Sequence, residues 1–297
     1  MRSFYNPFLI WIALAPAVVC SAAKPAATSA FAEVSPNYER VRLDSGRYQP
    51  ETYAFGEGIL FDRSGKDPSL TSLSFREMAT IIAEALLEAD YVPTPSPEET
   101  DLLIVLSWGK TMPQDDGLGS IARNGLSEAM NAMTQLSQLG EGESDAATSM
   151  QSELEGRLDQ MLMLQDMAEQ QRRRANAMNA QLLGYHRSLR HATELMQTFA
   201  PMRSVHDDLM LELESPRYFV ILQAYDFQKW FQDGTRVMLW STRFSIHAKG
   251  RRFDEELRNM ALASSRVMGT DSKRLQRHLR PARVEFGELE FLGVEDK

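Results

Sequence analysis

Hydrophobic and polar positions alternate with different periods along the chain and divide it into three zones after an N-terminal preamble. Residues 48–112 read as α/β, 118–215 as wholly helical, and 217–297 as α/β again. In the first zone Thr52–Phe55 and Gly58–Phe61 are short strand candidates. Ser74-Phe75-Arg76-Glu77 forms a capping box, in which Ser74 caps free N–H groups and Glu77 reaches back, with Leu73 and Met78 as hydrophobic staple. The helix it opens places Phe75, Met78, Ile82, Leu86 and Ala89 on one face and ends before Pro93. Leu102–Trp108 (LLIVLSW) is apolar without alternation, the pattern of a strand covered on both faces. Strand, helix, strand in this order predicts a crossover unit with parallel strands.

The third zone opens with Tyr218–Phe227, another apolar strand. A turn at Asp233-Gly234 leads to Arg236–His247, with Met238, Trp240, Phe244 and Ile246 on one face, so the two predict an antiparallel hairpin. Phe253, Leu257, Met260, Ala261, Val267 and Met268 mark an amphipathic helix. Val284–Val294 reads as a strand with a bulge at Gly287. The expected fold class is α+β: a mixed sheet with flanking helices, formed by 48–112 and 217–297 as one domain over 48–297, and interrupted by a long helical insertion at 118–215.

Within that insertion Leu118–Leu139 is helical, Gly140–Ser144 a break, and Met150–Phe199 a long helical run interrupted at Gly184. Ala175, Met178, Leu182, Tyr185, Leu189, Ala192, Met196 and Phe199 keep a 3,4 spacing, the seam of a coiled coil or helical hairpin. Pro201 starts a further helix burying Met202, Val205, Leu209 and Leu213, and Pro216 stops it.

Residues 1–23 have the three zones of a signal peptide: Arg2, an apolar stretch Phe8–Val19 too short to span a bilayer, and small residues at Ser21-Ala22-Ala23. Ala17-Val18-Val19-Cys20 resembles a bacterial lipoprotein box, with Val19 where a small residue is usual. Cys20 is therefore either a lipidation site or removed with the signal. Residues 24–47, rich in Ala, Pro and Ser at their start, read as a flexible tether. The expected address is the periplasm or, with a lipid, the outer membrane.

Cys20 is the single cysteine, so the folded part has no disulfide, thiolate metal site or cysteine nucleophile. The net charge is −9, and −10 once a leader charged only at Arg2 is removed, which disfavours nucleic acid and anionic headgroups. The outer zones resemble a bacterial family of small envelope proteins catalogued as domain of unknown function 4136. The shared pattern is Tyr53-Ala54-Phe55, Ala89-Asp90-Tyr91, the strand from Thr100-Asp101-Leu102 to Val105, and Leu239-Trp240 in a later strand pair. It covers about half the chain, is similar within the family to uncharacterised exported proteins of Verrucomicrobia-like bacteria, and lacks a counterpart of the helical insertion. The resemblance implies compartment and fold, and no activity.

Motifs with chemistry are few. Gly117-Leu118-Gly119-Ser120-Ile121-Ala122 fits a dinucleotide-loop template, yet eight residues, among them Asp115 and Asp116, separate it from Trp108, so it reads as a helix start. His186, His191, His206, His247 and His278 show no zinc-site spacing, and His206-Asp207-Asp208 reads as a polar helix face. Ten of the 16 methionines lie between Met130 and Met210. Copper(I) is a chemical option for thioethers, but their alternation with Leu reads as helix packing, with an adaptable partner-binding face as the other reading. Arg172-Arg173-Arg174 reads as a solvated face paired with Glu169.

No catalytic set, cofactor or metal site is therefore expected. The reading is a non-enzymatic envelope protein whose helical arm contacts a copy of itself or another envelope protein, touching membrane only through an N-terminal lipid. The alternatives are a hydrolase using Asp226 and Asp233 beside Trp230, which requires a pocket gathering acids and a histidine, and a small-ligand or lipid carrier, which requires an apolar cavity.

Overall fold

Alternation along the strands sorts their side chains onto the two faces of one sheet, and each face has its own core. The computed structural model describes residues 27–62, 65–112, 117–138, 145–196, 199 and 201–279. The signal peptide with Cys20, the break at 140–144 and the strand Val284–Val294 lie outside the described residues.

The sheet is mixed and, among the described residues, has seven strands: β1 (Ala27–Val34), β2 (Glu51–Phe61), β3 (Tyr91–Pro93), β4 (Leu102–Thr111), β5 (Arg217–Asp226), β6 (Met238–His247) and β7 (Gln276–Leu279). Their order is β3-β2-β4-β5-β6-β1-β7. The two strand candidates of the first zone are one strand, β2, with an irregularity between Glu57 and Leu60. At Gly58 a Cβ would stand 2.8 Å from the Leu106 carbonyl, so only glycine fits there. β2 runs parallel to β4, with α1 (Phe75–Glu88) crossing between them as the sequence predicts. Its capping box is present in both directions, Ser74 to the Glu77 N–H and Glu77 to the Ser74 N–H.

β5 and β6 pair antiparallel from Arg217↔His247 to Ala224↔Trp240, which is the expected hairpin. Its connection is more than a turn. Helix α6 (Phe227–Asp233) starts on the Asp226 side chain and ends at Gly234, whose φ of 68° is readily available to glycine.

The first face of the sheet carries α1 and α7 (Phe253–Ser264). Tyr53, Ile104, Leu106, Val220, Leu222, Trp240 and Phe244 meet Met78, Ile82, Leu86, Leu257 and Met260 there in one continuous buried cluster. The second face carries the end of α3 (Asp145–Leu183), α4 (His186–Met196) and α5 (Met202–Leu213), packed on Phe219 and Ile221. That layer reaches Phe61 of β2 across the C-terminal part of β4 and leaves the N-terminal part of β4 open. Leu103 and Val105 are only half-buried, which corrects the expectation of a strand covered on both faces.

Two further expectations are overturned. Ala27–Val34 belongs to the stretch read as a tether, yet it is β1, paired antiparallel with both β6 and β7, with Ala30, Phe31 and Ala32 fully buried. Short Ala, Thr and Ser side chains can lie in a crowded sheet interior as readily as in a linker, so composition did not separate the two. The continuous seam is also absent. Gly184, at φ 78°, ends α3, and the buried residues before it are Asn176, Asn179, Ala180 and Leu183, while Met178 is 46% exposed and Phe199 is 57% exposed. The inward face is rotated by one position from the apolar spacing because two asparagines supply part of it. In α5, Leu209 and Leu213 are buried as expected, whereas Val205 is exposed.

Candidate functional site

The insertion leaves the sheet where β4 ends and returns where β5 begins, at the Thr111↔Arg217 pair. Between them α2 (Gly117–Gln138) and α3 form an antiparallel hairpin. Ala122 and Ala129 of α2 are buried, and at Gly125 a Cβ would stand 2.4 Å from Met161 Sδ. Small residues on α2 thus let the two helices approach closely, and they leave the opposite face of α3 to solvent. No side chain described between Met150 and Ala175 is fully buried, and this length of α3 is an arm whose contact with α5 is made near its end, where Arg172 Nη1 lies 3.8 Å from Glu214.

A polar clamp fixes the arm at its base. Arg217, 3% exposed, donates from Nε to Ser245 Oγ (3.1 Å) and from Nη2 to Ser29 Oγ (3.2 Å) and the Ser245 carbonyl (3.2 Å). Its Nη1 lies 3.4 Å from Glu212 Oε2. Glu212 also accepts from the Tyr185 hydroxyl and pairs with Arg277 at 2.8 Å. Burial pushes the Tyr185 phenol up to about 12, the Glu212 charge and hydrogen bond adding to it. Asn176 Nδ2 donates to Glu214 at 2.8 Å and Asn179 Nδ2 to the Leu213 carbonyl at 3.2 Å. One buried guanidinium therefore joins β1, β5, β6 and α5, and two asparagines dock the end of α3 on α5. Sequence reading passed over these residues. Their signal is the helical spacing of Asn176, Asn179, Ala180 and Leu183, on which two polar residues take core positions.

Beyond the clamp the arm exposes apolar surface. Met163 is 69% exposed, Ile121 57%, Leu162 51% and Met167 46%. None of the ten methionines between Met130 and Met210 is fully buried, and Met130, Met150, Met163, Met167 and Met178 are exposed, which overturns the packing reading for those five. Arg173 lies 3.9 Å from both Asp166 and Glu169 on the solvated face expected of the triplet, whereas Arg172 pairs with Glu169 at 3.0 Å and also lies 3.8 Å from Glu214 at the end of α5.

The rival chemistry has a place as well. A cavity of about 380 Å³ at the opposite end of the sheet is lined by Glu39, Glu51, Asp101 and Asp226, with Tyr38, Gln228, Leu102 and Leu239 among its other walls. No histidine lines it, and Asp233 and Trp230 are not part of it. Three of the four acids serve the local backbone or a neighbour. Asp226 caps α6 at the Lys229 N–H (3.0 Å), Asp101 accepts from the Thr52 N–H and hydroxyl (2.8 Å each), and Glu51 accepts from the Tyr38 hydroxyl and lies 3.6 Å from Arg40. Burial raises the Glu51 carboxyl above the ordinary range, against the opposing pull of Tyr38 and Arg40.

Gly117 and Gly119 lie in the first turn of α2, as the helix-start reading expects. The histidines stay apart. His186 meets the Phe31 ring edge-on at 5.4 Å, His206 faces Asp207 at 3.4 Å, and no group of three His, Cys, Asp or Glu suited to a metal occurs among the described residues. Among the described residues no helix is long and apolar enough to cross a membrane. No protein-family model and no curated protein matches this chain.

Proposed function

We propose that this chain is an exported, non-enzymatic envelope protein whose α2–α3 arm is a contact element for another protein helix. Export is supported by the signal-like residues 1–23, with Cys20 as the candidate lipidation site, and by the resemblance of the outer zones to the envelope family described above. The observation that carries the contact role is the outer face of α3, where Met163 and Met167 stand open on a helix whose base is held by Arg217, Asn176 and Asn179. Unbranched thioether side chains adapt to varied partner surfaces, and a fixed base limits the ordering cost of binding. The acidic cavity favours this reading over hydrolysis, since Glu51, Asp101 and Asp226 already have structural partners. For a lipid carrier, the space between the sheet and α1 and α7 is occupied by the main core.

A photo-crosslinking residue placed at 163 in the host cell tests the proposal, with the same residue at Ile59, 62% exposed on β2, as control. Adducts at 163 that map by peptide sequencing to one defined helix, and are absent at 59, are expected. Adducts at neither position, or equally at both, would remove the arm from this role.

A further inference from the structure

We propose that the arm pairs with the arm of a second copy of this chain, antiparallel, about a two-fold axis passing through Met163. The inference rests on the reading of the arm as a contact element and names its occupant.

The outer face of α3 runs through Ser152, Gly156, Met163, Met167, Gln170 and Arg174 at helical spacing, opposite the face that receives α2. The most exposed apolar residue, Met163 at 69%, is central to it. Gly156 has no atom within 4 Å of where its Cβ would be, so a neighbouring helix can come close there. Charge is divided about the same centre. The N-terminal side holds Glu153, Glu155 and Asp159 with the single cation Arg157, a net −2, and the C-terminal side holds Arg172, Arg173 and Arg174 with Asp166 and Glu169, a net +1.

Two such helices side by side and parallel would set acid against acid and arginine against arginine. Turned antiparallel about Met163, position 173 comes opposite 153 and 174 opposite 152, which brings Arg173 and Arg174 to the partner's Glu153 and Glu155, while Arg172 stays on the inner side, 3.8 Å from Glu214. Glu153 and Arg173 have side chains 67% and 65% exposed, and their present ion pairs, with Arg157 at 3.0 Å and with Asp166 and Glu169 at 3.9 Å, are surface pairs of small worth that rearrange readily. The paired length, residues 152–174, is about 34 Å of helix. A single helix–helix contact of that length falls at the small end of specific interfaces, near or below ~1,200 Å² in total, so the dimer is reversible and concentration-dependent.

Cysteine pairing under mild oxidation reads out the geometry, because an axis through 163 sets that residue against itself and 152 against 174. Met163→Cys is expected to give a covalent dimer, Ser152→Cys alone to give none, and a mixture of Ser152→Cys with Arg174→Cys to give the heterodimer. Ile59→Cys is the control, and Cys20, lipidated or removed with the signal, adds no free thiol to the mature chain. Reversing Arg173 and Arg174 to Glu should weaken association at least about tenfold, and adding Glu153→Arg and Glu155→Arg should restore most of it. Far-UV circular dichroism confirms that the arm stays helical in each variant. A dimer yield at 163 no higher than at 59, or charge reversal without effect, would overturn self-pairing. The contact role would survive that failure if the in-cell adducts at 163 mapped to a different protein, and would fall with it if there were none.

Discussion

Gly184 sits against Phe31 so closely that a Cβ at 184 would stand 2.6 Å from both the Cβ and the ring of Phe31. This contact ties the end of the arm to β1, and it requires glycine twice, for the space and for the φ of 78°. Gly184→Ala should therefore destabilise the protein by about 2–4 kcal/mol, the sum of a left-handed backbone penalty and a core overlap. Urea denaturation measures it, and a loss below ~0.5 kcal/mol would mean that the contact is not made in solution.

Arg217 is the next point of failure. Replacing it with Met leaves Glu212 facing Tyr185 and Arg277 without its buried partner, at an expected cost of about 3 kcal/mol. The double variant with Glu212→Gln should lose less than the two single losses together, because each single change already breaks the shared interaction. Additive losses in denaturation midpoints would show that the pair is uncoupled.

Asp67 gives the fold its expected acid sensitivity. Partial burial would raise its pKa, but hydrogen bonds from Lys110 Nζ, the Tyr218 hydroxyl and the Ser69 hydroxyl, each at 2.7 Å, outweigh burial and hold the carboxyl well below the ordinary range. A folded-state pKa below the unfolded value of about 3.9 means stability present above that pH and lost as the pH falls through the folded value. Asp67→Asn should cost about 2 kcal/mol at neutral pH, and its gap to the parent should narrow below about pH 4. Urea midpoints across that range test the sign, and a gap that widens with acid would contradict it.

Ser69 caps a helix from another part of the chain. Its hydroxyl accepts from the Phe253 N–H at 3.0 Å, while Arg252, which flanks α7, makes no side-chain cap. Ser69→Ala should cost about 1–2 kcal/mol and speed hydrogen exchange in the first turn of α7 while leaving α1 unchanged. Unaltered exchange at Phe253 would refute the cap.

What the sequence revealed followed from local rules. The capping box at Ser74, the β2–α1–β4 crossover, the β5–β6 hairpin, the break at Gly184 and the face of α7 all rest on spacing within about a dozen residues, and the structure has each of them. What it concealed depends on partners distant in sequence. Ala27–Val34 is a strand because β6 and β7 lie on either side of it, and nothing in its composition announces that. Asn176 and Asn179 are buried because Glu214 and the Leu213 carbonyl meet them, so a reading by hydrophobicity placed the inward face one residue away. The same holds for the candidate site. Periodicity identified the helices of the arm but assigned its methionines to a core, because α2 covers only one side of α3.

The outer face of the arm as a buried contact in the cell is the central claim, and methionine oxidation measures it directly. Met163 and Met167 should oxidise several-fold more slowly in intact cells than in dilute purified protein, while Met238, 40% exposed on β6, oxidises at the same relative rate in both. Equal rates for all three methionines in the two settings would contradict it.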